Sequence, residues 1–264
     1  VGLVTAALAL TILLGGIRRI AEISTVLVPV MALLYLGGGL AVILGNLRRL
    51  PEALILMLRC AVAPEAALGG ALGIVTRREA LRWGVARSVF SNEAGLGSAA
   101  ITAACADTED PVKQGLISMT GVFFDTMVIC TVTGLAICCS GTLGTADGAG
   151  RPLTGAALTL RAFETVLGPL APWLIGVALG LFAFTSVLGC AVQAETTASY
   201  LLGPEAVRPC RVLYGLAVFV GAVIPMATVL QLADLANALM AFPNLVCLLL
   251  LSGEIAGECG RKER

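Results

Sequence analysis

The chain contains no histidine and little charge: of its 264 residues only 13% are Asp, Glu, Lys or Arg, with 17 basic residues balanced by 17 acidic ones. Without histidine, Ser-His and Cys-His catalytic arrangements and His-ligated metals are excluded. Lysine is nearly absent as well. Neither Lys113 nor Lys262 follows the glycines of a phosphate loop, so no Walker sequence exists. The basic residues are scattered in ones and twos, which gives no stripe for nucleic acid. The nine cysteines form no C-x-x-C pair, and Cys130, Cys138, Cys139 and Cys247 lie inside apolar runs, where free cysteine acts as a small hydrophobe. No polar–apolar alternation at period two marks a transmembrane barrel. No basic region or cleavage site precedes Val1, which already lies in an apolar run, so the start does not read as a signal peptide. The expectation is a chain that begins partway through a helix.

What is present is apolar: 58% of the residues are hydrophobic. No charge occurs between Glu22 and Arg48, between Glu164 and Glu195, between Arg211 and Asp234, or between Asp234 and Glu254. Each interval holds the roughly 20 residues that a helix needs to cross a bilayer. The fold class is therefore all-α, a polytopic membrane protein whose surroundings are a lipid bilayer.

Along the chain, residues 2–17 form an apolar run that stops at Arg18-Arg19, and residues 23–46 form a second with Gly37-Gly38-Gly39 as a packing face, since small residues let helices approach closely in lipid. Residues 51–88 mix charge with apolar residues and read as a short re-entrant or interfacial pair of helices, with Gly69 and Gly73 as a contact face. Small residues dominate 90–106. A polar connector runs from Asp107 to Gln114, where Pro111 signals a helix start. Residues 115–139 read as a helix carrying Asp125, 140–163 as a loop, 165–194 as a helix starting after Pro172, then 212–233 and 234–252 as two further segments, the last broken at Pro243-Asn244. Residues 253–264 read as a polar tail. That makes about seven crossings, and the Lys/Arg distribution does not decide their orientation.

Gly95-Leu96-Gly97-Ser98-Ala99-Ala100 matches G-x-G-x-x-A in letters, but no strand feeds it, so a dinucleotide site is excluded. The polar island Ser91-Asn92-Glu93 beside Gly95 and Gly97 is more informative. An acid at mid-bilayer costs roughly 2.5–3.5 kcal/mol and a glycine in a helix interior about 1 kcal/mol. A broken helix explains both, and such breaks expose backbone groups that hold substrates and ions; a loop at the membrane surface is the alternative. Thr185-Ser186 offer two hydroxyls in an apolar helix, suited to Na⁺ or to bonding back to the i−4 carbonyl. Asp125, Glu195 and the i, i+3 pair Asp234 and Asn237 are further polar groups at or within the spans, each open to a functional or a packing role.

Gly84-Val85-Ala86-Arg87-Ser88-Val89-Phe90-Ser91-Asn92-Glu93-Ala94-Gly95-Leu96-Gly97-Ser98-Ala99 closely resembles the signature of the alanine/glycine:cation symporter family. Gly15 to Ala21, Val28 to Tyr35, Pro111 to Leu116, Gly121 to Thr126, Leu181 to Gly189 and Leu232 to Asn244 resemble further blocks of that family in order. The resemblance implies a partial leucine-transporter-like inverted-repeat fold. Residues 2–46 would be the last two helices of the first repeat and 51–252 the re-entrant region and second repeat, the chain being N-terminally incomplete.

It further implies Na⁺-coupled transport of a small neutral amino acid by alternating access in the cell (inner or plasma) membrane, with no enzyme chemistry and no cofactor beyond Na⁺ as coupling ion. Phe90 would wall the substrate, Ser91, Asn92 and Gly95 would bind it through the break, and Thr185 and Ser186 would hold Na⁺. Cys190 stands where the family usually has Trp, and the aromatics that usually follow are absent; the expectation is a roomier substrate site. A truncated product that only inserts or pairs with other helices is the alternative reading.

Overall fold

The computed structural model describes residues 2–13, 15–62, 77–148 and 150–262. Among them the chain is helical: α1 (Gly2–Leu13), α2 (Gly16–Gly45), α3 (Leu50–Val62), α4 (Arg77–Asn92), α5 (Ser98–Ala103), α6 (Pro111–Val122), α7 (Cys130–Ser140), α8 (Gly155–Leu167), α9 (Ala171–Leu202), α10 (Val207–Gly221) and α11 (Met226–Lys262). A π-helical stretch over Phe123–Ile129, carrying Asp125, joins α6 to α7. The stretches Gly16–Gly45, Pro111–Ser140, Gly155–Leu202 and Met226–Gly257 are long and apolar enough to cross a membrane. Among the described residues these four stretches meet the roughly 20 residues a crossing takes, and α10, with 15, does not; the sequence led to an expectation of about seven crossings.

Several boundaries differ from the sequence expectation, and the reason is common to them. Charge and proline mark where an apolar run pauses, whereas a helix stops only where its backbone must turn. α2 starts at Gly16 rather than near residue 23 and absorbs Arg18, Arg19 and Glu22, with Arg18 Nε 3.4 Å from Glu22 Oε1 one turn on. The loop expected over 140–163 covers only the residues between α7 and α8; Arg161 is helical and donates to Glu164 at 3.0 Å. The segments expected at 212–233 and 234–252 are instead α10, ending at Gly221, and α11, which runs unbroken through Asp234 and Pro243. The turn between them lies at Pro225, whose carbonyl accepts from Thr228 N at 3.0 Å. The segment expected as a polar tail continues α11 as far as Lys262. In the region 51–88 the described residues are helical, in α3 and the first part of α4; Gly69 and Gly73 lie outside the described residues.

The chain divides into two compact units. In the unit of residues 27–88 and 124–182, the core gathers Tyr35, Val42 and Ile43 of α2, Ala136 of α7, Ala162 and Phe163 of α8, and Ala171, Ile175 and Ala178 of α9. The glycines of α2 make this packing possible. A Cβ on Gly38 would stand 2.9 Å from Leu174 and 3.0 Å from Phe163, and one on Gly39 would stand 2.5 Å from Val132. The expected packing face is therefore Gly38 and Gly39. Tyr35 places its ring edge-on to Phe182, with centroids 5.8 Å apart, and its hydroxyl pairs with Thr133 Oγ1 at 2.8 Å.

The unit of residues 1–26, 89–123 and 183–264 carries the second core, Leu13, Ile20, Leu188, Ala191 and Val192, flanked by Phe184 and Tyr214. α1 meets α10 at Gly215, where a Cβ would lie 2.7 Å from the Leu10 side chain. Tyr214 donates its hydroxyl to the Val187 carbonyl at 2.7 Å and so ties α10 to α9. The start of α6 follows its sequence signal: Pro111 is the first helical residue and Asp110 caps it, Oδ1 accepting from Val112 N at 3.0 Å and Lys113 N at 3.1 Å. The fixed φ of proline and a carboxylate on the free N–H groups are what a helix start favours.

Candidate functional site

The site is built around the gap between α4 and α5, all within the second unit described. α4 ends at Asn92 and α5 begins at Ser98. Asn92 Oδ1 accepts from Ala94 N at 3.1 Å, and Leu96 N donates to the Glu93 carbonyl at 3.2 Å, so the intervening residues form a tight turn. Its backbone is left-handed at three positions: Glu93 at φ 53°, Gly95 at 76° and Gly97 at 84°. Glycine takes this region freely. Glu93 does not, and it has the only positive φ of any non-glycine among the described residues; a strained side-chain-bearing residue of this kind persists where its surroundings over-determine it.

Two amide side chains hold the gap from either side. From α9, Gln193 Nε2 donates to Glu93 Oε2 and to Thr102 Oγ1, each at 3.2 Å, so it grips the turn and α5 together. Ser98, buried at the first residue of α5, donates its hydroxyl to the same Glu93 Oε2. From α11, Asn244 Nδ2 donates to the Gly95 carbonyl at 3.0 Å. Asn244 lies so close that a Cβ on Gly97 would sit 2.9 Å from its Oδ1. The turn therefore needs glycine at 97 twice over, for its φ and for its neighbour.

Beside the gap lies a cavity of about 440 Å³, lined by Glu93 from the turn, Thr102 of α5, Gln114 and Ser118 of α6, and Ser186, Cys190 and Gln193 of α9, with small residues between them. That volume falls within the roughly 300–1,000 Å³ of small-molecule sites. A Cβ on Gly121 or Gly189, both in the wall, would meet nothing within 4 Å. The wall carries one formal charge, Glu93, no basic side chain and no aromatic ring.

Of the residues singled out in the sequence, Glu93, Ser186 and Cys190 line this cavity. Phe90, 45% exposed, and Ser91 end α4; Asn92 closes the helix and Gly95 offers its carbonyl to Asn244, and none of these four is part of the wall. Thr185 is half-buried on α9 and also stands outside it. Sequence reasoning passed over Gln193, Thr102, Gln114 and Ser118, and treated Asn244 only as a helix breaker. Gln193 had a local signal, being a long amide in an apolar interval; the others had none.

Farther along α9, Glu195 is 5% exposed and forms a two-pronged pair with Arg211 of α10, Nε to Oε1 at 2.8 Å and the terminal nitrogen to Oε2 at 2.9 Å. Planar guanidinium and carboxylate match in this geometry. A Cβ on Gly16, itself at φ 77°, would stand 3.9 Å from that terminal nitrogen. The pair thus ties α9 to α10 beside the start of α2.

The profile of the Sodium:alanine symporter family matches residues 1–261. An uncharacterized transporter of Haemophilus influenzae is 44% identical over 239 residues, which are 90% of this chain and 51% of that protein. The sodium/alanine symporter AgcS of Methanococcus maripaludis is 39% identical over 260 residues, 97% of this chain and 55% of that protein. A probable sodium/glutamine symporter, GlnT of Bacillus subtilis, is 39% identical over 252 residues, 95% and 51%. The chain spans about half the length of the curated relatives it matches. Helical among the described residues, with four apolar stretches of membrane length there, the chain belongs to the sodium:alanine symporter family, a family of membrane transporters and not of enzymes.

Proposed function

We propose that the full-length protein is a secondary symporter that carries a small neutral amino acid with Na⁺ across the cell membrane by alternating access. The observation that carries this reading is the interrupted helix at Glu93–Gly97, anchored by Gln193 and Asn244 and opening onto a cavity without a basic group. Discontinuous helices supply N–H and C=O groups to substrate and ion in transporters built from inverted repeats, and a leucine-transporter-like fold accounts for such a break in the second repeat. The names of two relatives, a sodium/alanine and a probable sodium/glutamine symporter, support both the ion and the class of substrate. Phe90, Ser91, Asn92 and Gly95 are the substrate residues of this reading, and the hydroxyls of Thr185 and Ser186 are the Na⁺ ligands.

The side-chain end of the site is roomier than alanine requires. Cys190 and Gly189 share the wall with Ala99 and Ala103, and no ring fills the space. Accumulation of radiolabelled alanine and glutamine by the full-length protein in liposomes, with Na⁺ and with choline outside, tests the reading. Na⁺-dependent uptake that disappears in Thr185→Ala/Ser186→Ala supports it, and unchanged Na⁺ dependence in that variant overturns the ion site. Cys190→Trp is expected to exclude the larger substrate while sparing alanine.

A further inference from the structure

We propose that Glu93 is the binding site of a monovalent cation that travels with the substrate, in addition to the Thr185 and Ser186 hydroxyls; the proposal rests on the symporter reading above. Glu93 Oε2 accepts from Ser98 Oγ and Gln193 Nε2, both neutral donors. Gln193 spends both of its amide hydrogens, on Glu93 and on Thr102. Glu93 Oε1 and Gln193 Oε1 therefore have no donor among the described residues. Glu93 and Gln193, each with an oxygen that can only accept, both line a cavity with no Arg or Lys in its wall, and Glu93 is the one formal charge there. The chemical complement of such a wall is a small cation, either Na⁺ coordinated by oxygen or H⁺ on the carboxylate.

Several acids elsewhere in the chain are met by a guanidinium instead. Glu195 is met by Arg211, Asp147 by Arg151 and Glu164 by Arg161. Glu93 has neutral partners alone, in a chain whose helices are made for lipid, where an ionisable residue marks an ion or proton path by default. It is also held in left-handed backbone that glycine would occupy without strain. The carboxyl group is the evident reason for a glutamate at that position. Among the groups facing it, the Cys190 thiol of α9 is the one that titrates; α5 contributes Thr102, α6 contributes Gln114 and Ser118, and α11 contributes Asn244 beside the turn.

The test uses the full-length protein in voltage-clamped liposomes, with whichever of radiolabelled alanine or glutamine the wild type accumulates, and reads charge moved per substrate under a Na⁺ gradient and under a pH gradient separately. Glu93→Gln is expected to lower that ratio by about one elementary charge. Loss of the response to the pH gradient alone identifies the cation as H⁺, and loss of part of the Na⁺ response identifies it as Na⁺. An unchanged ratio with both responses intact overturns the proposal. Ser98→Ala, which keeps the carboxylate and both accepting oxygens but removes a donor to Glu93 Oε2, guards against a Glu93→Gln protein that does not fold. It is expected to lower the cation concentration for half-maximal uptake by about tenfold, and an unchanged or raised value overturns the proposal too. A wild type that accumulates neither substrate under either gradient overturns the symporter reading itself, a result distinct from wild-type uptake with no effect of Glu93→Gln.

Discussion

Glu195 and Glu93 are both carboxylates met by α9 and its neighbours, and they are treated in opposite ways. Glu195 is buried and closed off by a guanidinium that matches it oxygen for nitrogen. Glu93, met by Gln193 from the same helix, has only neutral donors and lines a cavity. One acid is spent on holding helices together, since its charge is cancelled within the protein. The other keeps a charge that something mobile can cancel. Where an acid occurs in an apolar chain thus says less than which partner the fold gives it.

The largest expected effect belongs to the closed pair. Arg211→Ala leaves Glu195 buried and unpaired, and loss of one partner from a buried pair costs about 3–5 kcal/mol. Thermal unfolding of the detergent-solubilised protein should show it as a large fall in midpoint. Replacing both partners together, Glu195→Leu with Arg211→Met, should recover most of that loss, because no unpaired charge remains. A double variant as unstable as the single would mean that Arg211 acts through packing at Gly16 and not through its charge.

Next in size is the turn that presents Glu93. Gly97→Ala forces a side chain into left-handed backbone and against Asn244, at a cost of about 2–4 kcal/mol. Gly84→Ala, in the middle of α4 with nothing within 4 Å of the new Cβ, should be neutral or stabilise by up to about 1 kcal/mol. The two substitutions are the same in chemistry, so unfolding midpoints that fall together would break the distinction drawn between the turn and the helix before it. Asn244→Ala removes a single hydrogen bond to the Gly95 carbonyl and is expected to cost about 1 kcal/mol.

The turn was legible in the sequence because its signals are local. Ser91, Asn92 and Glu93 beside two glycines cannot continue a helix cheaply, and the break falls there. The start of α6 was legible for the same reason, with Asp110 and Pro111 adjacent. Helix ends marked only by hydropathy were not. Asp234 and Pro243 interrupt an apolar run, but α11 carries both, since an acid has an ordinary helical backbone and a proline removes one ladder hydrogen bond without forcing a turn. The long-range partners of the turn were beyond reach: Gln193 is 100 residues from Glu93 along the chain and Asn244 is 149 from Gly95. Periodicity cannot pair positions so far apart. Of the residues expected in one site, Ser186 and Cys190 meet Glu93 in a cavity wall, while Thr185 does not, because adjacent positions on a helix point about 100° apart.

The smallest expected effect is the most discriminating. Glu93→Gln keeps the size of the side chain, its left-handed backbone and an oxygen that accepts from Ser98 and Gln193. If the carboxylate served the fold as Glu195 does, losing its charge would cost several kcal/mol. If it is held for a cation, the neutral amide should leave the unfolding midpoint within about 0.5 kcal/mol of wild type, as for a substitution that removes no packing and no ion pair. Added Na⁺, or lower pH where H⁺ is the cation, should raise the midpoint of the wild type by binding the folded state, and should raise it less in Glu93→Gln. A variant that is no less stable but less responsive to the cation separates the two carboxylates by function. A strongly destabilised one would place Glu93 with Glu195 among the acids that the fold itself requires.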